Sequence, residues 1–127
     1  MVRRITAVLA GAVLLALTTA GTASAASKNG KCESGELCLY RLAGYTGGLL
    51  DFVADDANYT NGDVFHGTTY ALDNRATSVV NNDPARCVTL YQDINHAKPM
   101  ITIGPRSAVS HLRQLDNLAS SHKWTAC

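Results

Sequence analysis

Two six-residue segments of the chain carry the same pattern of oxygen-bearing side chains. Residues 73–78 read DNRATS and residues 116–121 read DNLASS, so the frame Asp-Asn-x-x-(Ser/Thr)-Ser occurs twice. Each copy offers a carboxylate, an amide, hydroxyls and backbone carbonyls. These are the hard oxygen ligands that Ca²⁺ takes in sets of about six to eight. One copy cannot supply that many, but two facing copies could, so the repeat predicts up to two calcium sites.

A purely structural role is the alternative for the same residues. Asp and Asn cap turns, and Ser or Thr hydroxyls bond nearby backbone groups. A single hexapeptide of this kind is usually structural. Two copies in matching positions keep the calcium interpretation open beside the structural one.

Short β-favouring runs separated by Gly, Asn, Asp and Pro clusters dominate the rest of the chain. Many short strands at this spacing predict an all-β sandwich or small barrel. We expect a short helical turn within residues 111–118. The expected strands are Leu37–Arg41, Leu49–Val53, Thr68–Leu72, Ser78–Asn81, Val88–Gln92, Met100–Ile103 and Ser121–Thr125.

The expected strands fall into two copies of one unit. Leu39-Tyr40 opens the first copy and Leu90-Tyr91 opens the second, and each copy closes on its hexapeptide. Each copy has room for about four strands, which is the content of a Greek key. We therefore expect one domain over residues 26–127, with Greek keys at about 32–82 and 87–127 and about eight strands in all.

The first copy also carries an aromatic hairpin motif. Tyr40 is followed by four residues, then Tyr45, one residue and Gly47. The two rings can pack on each other across a turn, and Gly47 can take a positive φ. We expect Ser78 to hydrogen-bond the backbone of this hairpin and so tie the two ends of the motif together.

The hairpin followed by Asp-Asn-x-x-(Ser/Thr)-Ser resembles the βγ-crystallin Greek key. The CESGELCLY segment at 32–40 and the small, secreted character of the chain resemble the family of the Streptomyces metalloproteinase inhibitor. The resemblance covers about residues 32–127. It implies a wedge of two Greek keys with calcium ligands exchanged between them. The implied ligands are the side chains of Asp73, Thr77, Asp116 and Ser120, the carbonyls of Arg75 and Leu118, and hairpin carbonyls near Ala43 and Ile94.

The second hairpin departs from the family pattern. His96 stands where the second aromatic residue is expected, and Lys98 stands where the turn glycine is expected. The calcium site that takes a carbonyl from this hairpin therefore has the weaker support. The second copy is also shorter, so the stretch 55–67 is expected to be a loop particular to the first copy.

The first 25 residues have the three parts of a secretory signal peptide. A basic start is followed by an uncharged run and by the small-x-small sequence Ala23-Ser24-Ala25. A membrane anchor is the alternative, but the apolar run is shorter than the roughly 20 residues that a spanning helix needs. We expect cleavage after Ala25 and a secreted, monomeric product that is not bound to a membrane.

The charge of the expected product gives no sign of a nucleic-acid partner. The chain has 11 basic and 10 acidic residues. Removal of Arg3 and Arg4 leaves 9 basic residues, and no basic field remains to hold nucleic acid or an anionic membrane. The Ser, His and Asp residues show no catalytic spacing, so we do not expect an enzyme.

The four cysteines predict a disulfide framework, since an even count is usual in a small exported domain. Three connectivities are possible, and we expect Cys32–Cys38 and Cys87–Cys127. Zinc is the rival reading, but the chain has no Cys-x-x-Cys pair and its four histidines are scattered.

The sequence leaves three functions open. The first is inhibition of an extracellular protease, most simply a metalloprotease. The others are a calcium-binding structural or cell-wall-associated module without inhibitory activity, and a killer-toxin-like secreted protein. An inhibitor needs a stiff exposed loop, because rigidity lowers the ordering cost of binding. The candidate inhibitory loop is Pro84, Ala85, Arg86, Cys87 and Val88, with a plain linker between the two copies as its alternative.

Overall fold

The computed structural model describes residues 26–127, so the expected signal peptide at 1–25 lies outside the described residues. The regular structure of the described part is all-β, as expected, apart from one turn of 3-10 helix. In chain order the elements are β1 (Leu37–Leu42), β2 (Thr46–Phe52), β3 (Ser78–Asn81), β4 (Cys87–Asp93), β5 (Ala97–Ile103), β6 (Ser107–Val109), the 3-10 turn (Arg113–Leu115) and β7 (Ser121–Thr125).

The strands form two antiparallel sheets that exchange strands between the halves of the chain. One sheet has the order β2-β1-β3-β6 and the other β5-β4-β7. β6 comes from the second half but pairs with β3 of the first, with Val80 opposite Ala108. In return, Asp56 of the first half forms an isolated antiparallel bridge with His122 of β7. Residues 26–127 therefore contain seven strands and this bridge, against the expectation of about eight strands.

The core lies between the two sheets and follows from period-two alternation along the strands. Leu37 and Leu39 of β1, and Val88 and Leu90 of β4, are fully buried. Successive side chains of a strand point to opposite faces, so residues two apart meet the same core. Burying one such side chain contributes roughly 1.5–3 kcal/mol. The remaining buried core residues are Leu50, Phe52, Tyr59, Phe65, Leu72, Ala76, Val79, Ile103, Leu112 and Ala119.

One local prediction needs correction. The expected strand Thr68–Leu72 is absent, and its segment forms only an isolated bridge between Val64 and Ala71. Thr68 instead donates from its backbone N and its Oγ1 to the carbonyl of Phe65, at 3.0 and 2.8 Å. This tight turn overrides the β propensity of the segment. The short helical turn expected within residues 111–118 is confirmed, as a 3-10 turn at Arg113–Leu115.

The segment that precedes β1 is docked onto β2. The buried Asp51 carboxylate accepts hydrogen bonds from the backbone N–H groups of Asn29 and Gly30, at 3.1 and 2.9 Å. The Asp51 carbonyl accepts one from the N–H of Lys28 at 2.8 Å. Residues 28–30 are therefore held in place although they form no strand. Within residues 26–127 no helix has the length and apolar character needed to cross a membrane.

Candidate functional site

The first hairpin folds as its motif predicts. The rings of Tyr40 and Tyr45 meet edge to face with centroids 5.8 Å apart. The Ser78 hydroxyl accepts a hydrogen bond from the N–H of Tyr45 at 3.0 Å and donates one to the carbonyl of Leu42 at 2.6 Å. Gly47 has φ 80°. β3 is thereby tied to the turn of the β1–β2 hairpin.

The second hairpin has the same geometry despite its different residues. The rings of Tyr91 and His96 are 5.3 Å apart. The Ser121 hydroxyl accepts from the N–H of His96 at 3.2 Å and donates to the carbonyl of Asp93 at 2.7 Å. Lys98 takes φ 59° in the place of the turn glycine. An imidazole can therefore replace the second aromatic ring of the motif.

The two hexapeptides lie against each other about a local twofold arrangement. The N–H of Asn74 donates to the carbonyl of Ala119 at 3.0 Å, and the N–H of Asn117 donates to the carbonyl of Ala76 at 3.1 Å. Both asparagines have positive φ, 57° and 60°, a region that Asn enters more easily than most residues. The facing arrangement that shared metal ligands would need is therefore present.

Each hexapeptide buries one carboxylate oxygen that has no partner. These atoms are Oδ1 of Asp73 and Oδ1 of Asp116. The second oxygen of each carboxylate faces the amide of the following asparagine, at 3.2 and 3.4 Å. A buried polar atom without a partner is costly, and such atoms in native structures call for an explanation. Two of them at equivalent positions fit a bound cation.

A third buried oxygen, Oε2 of Glu36, also lacks a partner but has a different explanation. Burial raises the pKa of Glu36, and the neighbouring Asp51 carboxylate adds to the rise. A raised pKa favours the protonated form of the Glu36 carboxyl, which lessens its need for a counterion.

A cavity of about 610 Å³ opens beside the first hairpin and brings several of the expected ligands together. Asp73, Arg75, Thr77 and Asp116 line it, as does Ala43 of the hairpin turn. The other lining residues are Arg41, Leu42, Asn74, His111 and Asn117. The cavity is thus lined by carboxylate residues from both halves of the chain and by the hydroxyl residue Thr77.

The remaining expected ligands, Leu118, Ser120 and Ile94, do not line this cavity. The hydroxyl of Ser120 donates to Oδ1 of Asn74 at 3.1 Å. Among residues 26–127 no group of three or more His, Cys, Asp or Glu side chains is placed to hold a metal. A cation here would therefore depend on carbonyl and hydroxyl oxygens besides the two aspartates.

The candidate inhibitory loop is a stiff turn whose exposed part is short. Pro84, Ala85 and Arg86 are exposed, whereas Cys87 and Val88 are buried in β4. The Asp83 carboxylate accepts hydrogen bonds from the N–H groups of Ala85 and Arg86, at 2.9 and 2.6 Å. No role was assigned to Asp83 from the sequence, although Asp side chains in turns often bond the backbone two residues on.

The Arg86 side chain makes its contacts within the domain. Its guanidinium lies 3.9 Å from the Trp124 ring and is paired with Asp83 at 3.0 Å. Burial alone would raise the pKa of Asp83, but the hydrogen bonds from Arg86 and Ala85 outweigh it and lower the pKa to about 2. The loop is therefore rigid, and its one long side chain points back onto the domain.

The disulfides are Cys32–Cys38 and Cys87–Cys127, the two pairs expected from the sequence. The second lies at the end of the candidate inhibitory loop and joins β4 to the last residue of the chain. The described residues contain no free cysteine.

Solved structures share this fold at low sequence identity. A protein solved in work on the evolution of the eye lens βγ-crystallin domain fold is 18% identical, with 84% of this chain and 95% of that chain covered and a TM-score of 0.62. An archaeal βγ-crystallin is 20% identical, covers 73% and 100%, and has a TM-score of 0.56. The N-terminal domain of Protein S is 18% identical, covers 72% and 96%, and has a TM-score of 0.57. These likenesses show the βγ-crystallin fold.

No curated protein matches the chain. A family model does match: that of peptidase inhibitor family I36, over residues 25–102, which is more than half of the chain. The match takes in the first Greek key, the loop at 83–88 and the second hairpin. It confirms the resemblance drawn from the sequence and the expectation that the protein is an inhibitor-family protein and not an enzyme. The chain therefore belongs to peptidase inhibitor family I36 and has a βγ-crystallin fold.

Proposed function

We propose that the protein is secreted and inhibits an extracellular protease, with a metalloprotease as the first target to test. The match to the peptidase inhibitor family over residues 25–102 carries this proposal, because that family implies a protease partner. Two disulfides in a small domain fit an oxidising compartment outside the cytoplasm.

The rigidity of the domain supports inhibition as a mechanism. A loop that is already ordered loses little conformational entropy when it enters a protease cleft. The loop at 83–88 is held by the Asp83 hydrogen bonds, and the Asn81 amide adds a bond to the carbonyl of Arg86 at 2.9 Å. Cys87 and Val88 are buried, so within this loop only the exposed residues 84–86 could reach a protease.

Inhibition is tested by titrating the secreted, oxidised protein against a thermolysin-type metalloprotease and a serine protease, both in calcium buffer. We expect saturable loss of activity at about one inhibitor per enzyme for a tight complex. Sequencing the amino terminus of the same preparation tests the leader, with Ala26 expected as the first residue. No loss of activity with either enzyme at micromolar protein would overturn the proposal for these two classes.

A second candidate function is calcium binding, and the orphaned oxygens of Asp73 and Asp116 favour it. The residues fit a hard cation, since two carboxylates, the Thr77 hydroxyl and the carbonyls of the cavity are the ligand types that Ca²⁺ prefers. In this role calcium would stiffen the contact between the two hexapeptides. It is compatible with inhibition, because the cavity and the loop at 83–88 share no residue.

Calcium binding is tested by thermal unfolding in Ca²⁺ and in chelator. A ligand at 100 times its Kd stabilises the folded state by about 2.7 kcal/mol, so the parent Tm should rise by several degrees. The double variant Asp73→Asn with Asp116→Asn should lose this response. In chelator it should be at least as stable as the parent, because it buries no unpaired charge.

The control for the calcium test is Asp55→Asn, an exposed aspartate outside the cavity that receives the N–H of Trp124. It should keep the full calcium response. A double variant that still responds as the parent does would show that these two aspartates are not ligands.

A further inference from the structure

The first Greek key contains an insertion that the second lacks. The N–H of Tyr59 donates to the carbonyl of Ser120, and the N–H of Leu112 donates to the carbonyl of Thr77. Ser120 and Thr77 are equivalent in the two hexapeptides, so Tyr59 and Leu112 are equivalent too. Fourteen positions then lead from Tyr59 to the Asp of its hexapeptide, but only four lead from Leu112 to the Asp of the other. The excess lies within residues 60–71, hereafter the insertion loop.

The insertion loop is ordered by contacts of its own. Phe65 is fully buried in the core. Its N–H donates to the carbonyl of Tyr70 at 3.0 Å, and the N–H of Tyr70 donates to Oγ1 of Thr68 at 3.1 Å. The N–H of Leu72 donates to the carbonyl of Asp63 at 2.9 Å. The backbone on both sides of Tyr70 is therefore fixed, although the loop contains no regular strand.

The loop is also fastened to the rest of the molecule. The side chains of Lys28 and Asp63 form an ion pair at 2.8 Å. The N–H of His66 donates to the carbonyl of Leu49 on β2 at 2.8 Å. The His66 ring lies so close to Gly30 that a side chain there would collide with it. The docked amino-terminal segment and β2 thus hold the loop from two sides.

Two apolar side chains point outward from this fixed loop. Val64 is 40% exposed and Tyr70 is 45% exposed. The Arg41 guanidinium lies 4.1 Å from the Tyr70 ring, and Nε of Arg41 donates to the carbonyl of Gly47 at 3.1 Å. The arginine is therefore fixed by the first hairpin and in turn positions the ring. An exposed aromatic ring that is already held in place is a favourable anchor for a binding partner.

The loop at 83–88 offers no comparable anchor. Its exposed tip carries Pro84 and Ala85, and the Arg86 side chain is committed to Trp124 and Asp83. Both loops are rigid, but only the insertion loop presents a large apolar side chain. The Greek key also does not require the insertion to form, because the second Greek key connects Leu112 to its hexapeptide without one.

We propose that the insertion loop is the principal protease contact, with Tyr70 entering an apolar subsite of the target's substrate cleft that accepts an aromatic side chain. This inference rests on the proposed inhibitory function and names the residue that anchors the partner. Arg41 acts as a positioning residue for the ring. Val64 adds apolar contact beside it.

The test compares inhibition constants of single variants for whichever protease the parent inhibits. Tyr70→Ala should weaken inhibition by about tenfold or more, since exposed aromatic anchors dominate such interfaces. Tyr70→Phe should inhibit as the parent does, because the ring and its stacking on Arg41 remain. The control is Lys123→Ala, which removes a long exposed side chain from β7, outside both loops and the cavity, and should change nothing. Equal Tm values would show that every variant is folded.

A further variant, Ala85→Trp, separates the two loops. Bulk at position 85 should leave inhibition intact if the insertion loop is the contact. Loss of inhibition with Ala85→Trp, together with full inhibition by Tyr70→Ala, would overturn the inference and assign the loop at 83–88 instead. A parent protein that inhibits no protease of the panel would overturn the proposed function itself, and the assignment of Tyr70 would fall with it.

Discussion

Single buried polar residues hold the irregular parts of this molecule to its sheets. His122 of β7 is the clearest case. Its Nδ1 accepts a hydrogen bond from the Tyr59 hydroxyl at 2.7 Å, and its Nε2 donates to the carbonyl of Ala54 at 2.9 Å. The bond at Nδ1 requires the neutral imidazole, because a protonated Nδ1 cannot accept a hydrogen bond. Burial is the main reason that the pKa of His122 falls to about 4.

The stability of the protein should therefore depend on the protonation of His122. The unfolded state binds its proton near pH 6.5, so stability should be full above that pH and fall as the pH drops toward 4. The shift corresponds to about 3 kcal/mol in total, of which about 2 kcal/mol should be lost by pH 5. Urea unfolding at pH 7.5 and pH 5 measures the difference.

Two substitutions test whether His122 is the group responsible. His122→Gln should be less stable at pH 7.5 but should lose most of the pH dependence. His111→Gln, a change at an exposed histidine, should keep it. An unchanged pH dependence in His122→Gln would place its origin in another residue.

The element that recurs in this fold is a hairpin closed by a serine from a distant strand. Ser78 and Ser121 make the same two bonds to their hairpins, although the hairpin sequences differ. The geometry demands a residue with positive φ after the turn. In the first hairpin this residue is Gly47, which adopts a positive φ without strain. In the second it is Lys98, whose side chain makes the same backbone conformation strained.

Lys98→Gly should accordingly stabilise the protein. A non-glycine residue in the left-handed region costs roughly 1–2 kcal/mol, and the greater freedom of glycine in the unfolded chain removes part of the gain. We expect a net gain of about 0.5–1 kcal/mol in the free energy of unfolding. The ion pair between Lys98 and Asp93, 3.5 Å long and exposed, adds little to offset it.

The converse substitution, Gly47→Ala, should destabilise by more than the strain alone. A Cβ at position 47 would lie 2.6 Å from Cγ of Leu42. We expect a loss of about 2 kcal/mol or more, from the clash and the positive φ together. Denaturant unfolding of both variants provides the measurement, and equal stability of Gly47→Ala and the parent would contradict the account.

Elements held by contacts between residues near in sequence, or by repeated motifs, were predicted correctly. Elements held by contacts between distant residues were not. The hairpins, the serine ties and the facing hexapeptides follow from motifs repeated along the chain. Residues 60–67 of the insertion loop were expected only as a loop and residues 68–71 as part of a strand, because the order of this segment comes from the burial of Phe65 and from the ion pair of Asp63 with Lys28, far away in sequence. The stacking of Arg86 on Trp124 has no local signal at all. The strand predicted at Thr68–Leu72 was wrong, because the segment forms a tight turn despite its β propensity.

The whole molecule is two similar halves, each with its own disulfide. Cys32–Cys38 spans six positions, and Cys87–Cys127 spans forty. The chain-entropy model assigns about 2 kcal/mol to a loop of the first size and about 4 kcal/mol to one of the second. The larger loop contains all of the second Greek key, so its bridge restrains most of that half.

Removing Cys87–Cys127 with paired Cys→Ala changes should thus cost more stability than removing Cys32–Cys38 in the same way. The difference should be about 2 kcal/mol in the free energy of unfolding, measured by denaturant under oxidising conditions. Equal losses would show that strain or residual structure in the unfolded chain outweighs loop entropy here.

The exchange of strands between the halves has a consequence for a chain that is cut. Neither disulfide crosses from one half to the other, so opening one peptide bond between Pro84 and Arg86 would leave two pieces with no covalent link. The two pieces would still be held together by backbone pairing, because β3 pairs with β6 and Asp56 pairs with His122. The two halves therefore resemble the subunits of a heterodimer joined in one polypeptide. If they are made as separate polypeptides, we expect the native fold to form only when both are present during folding.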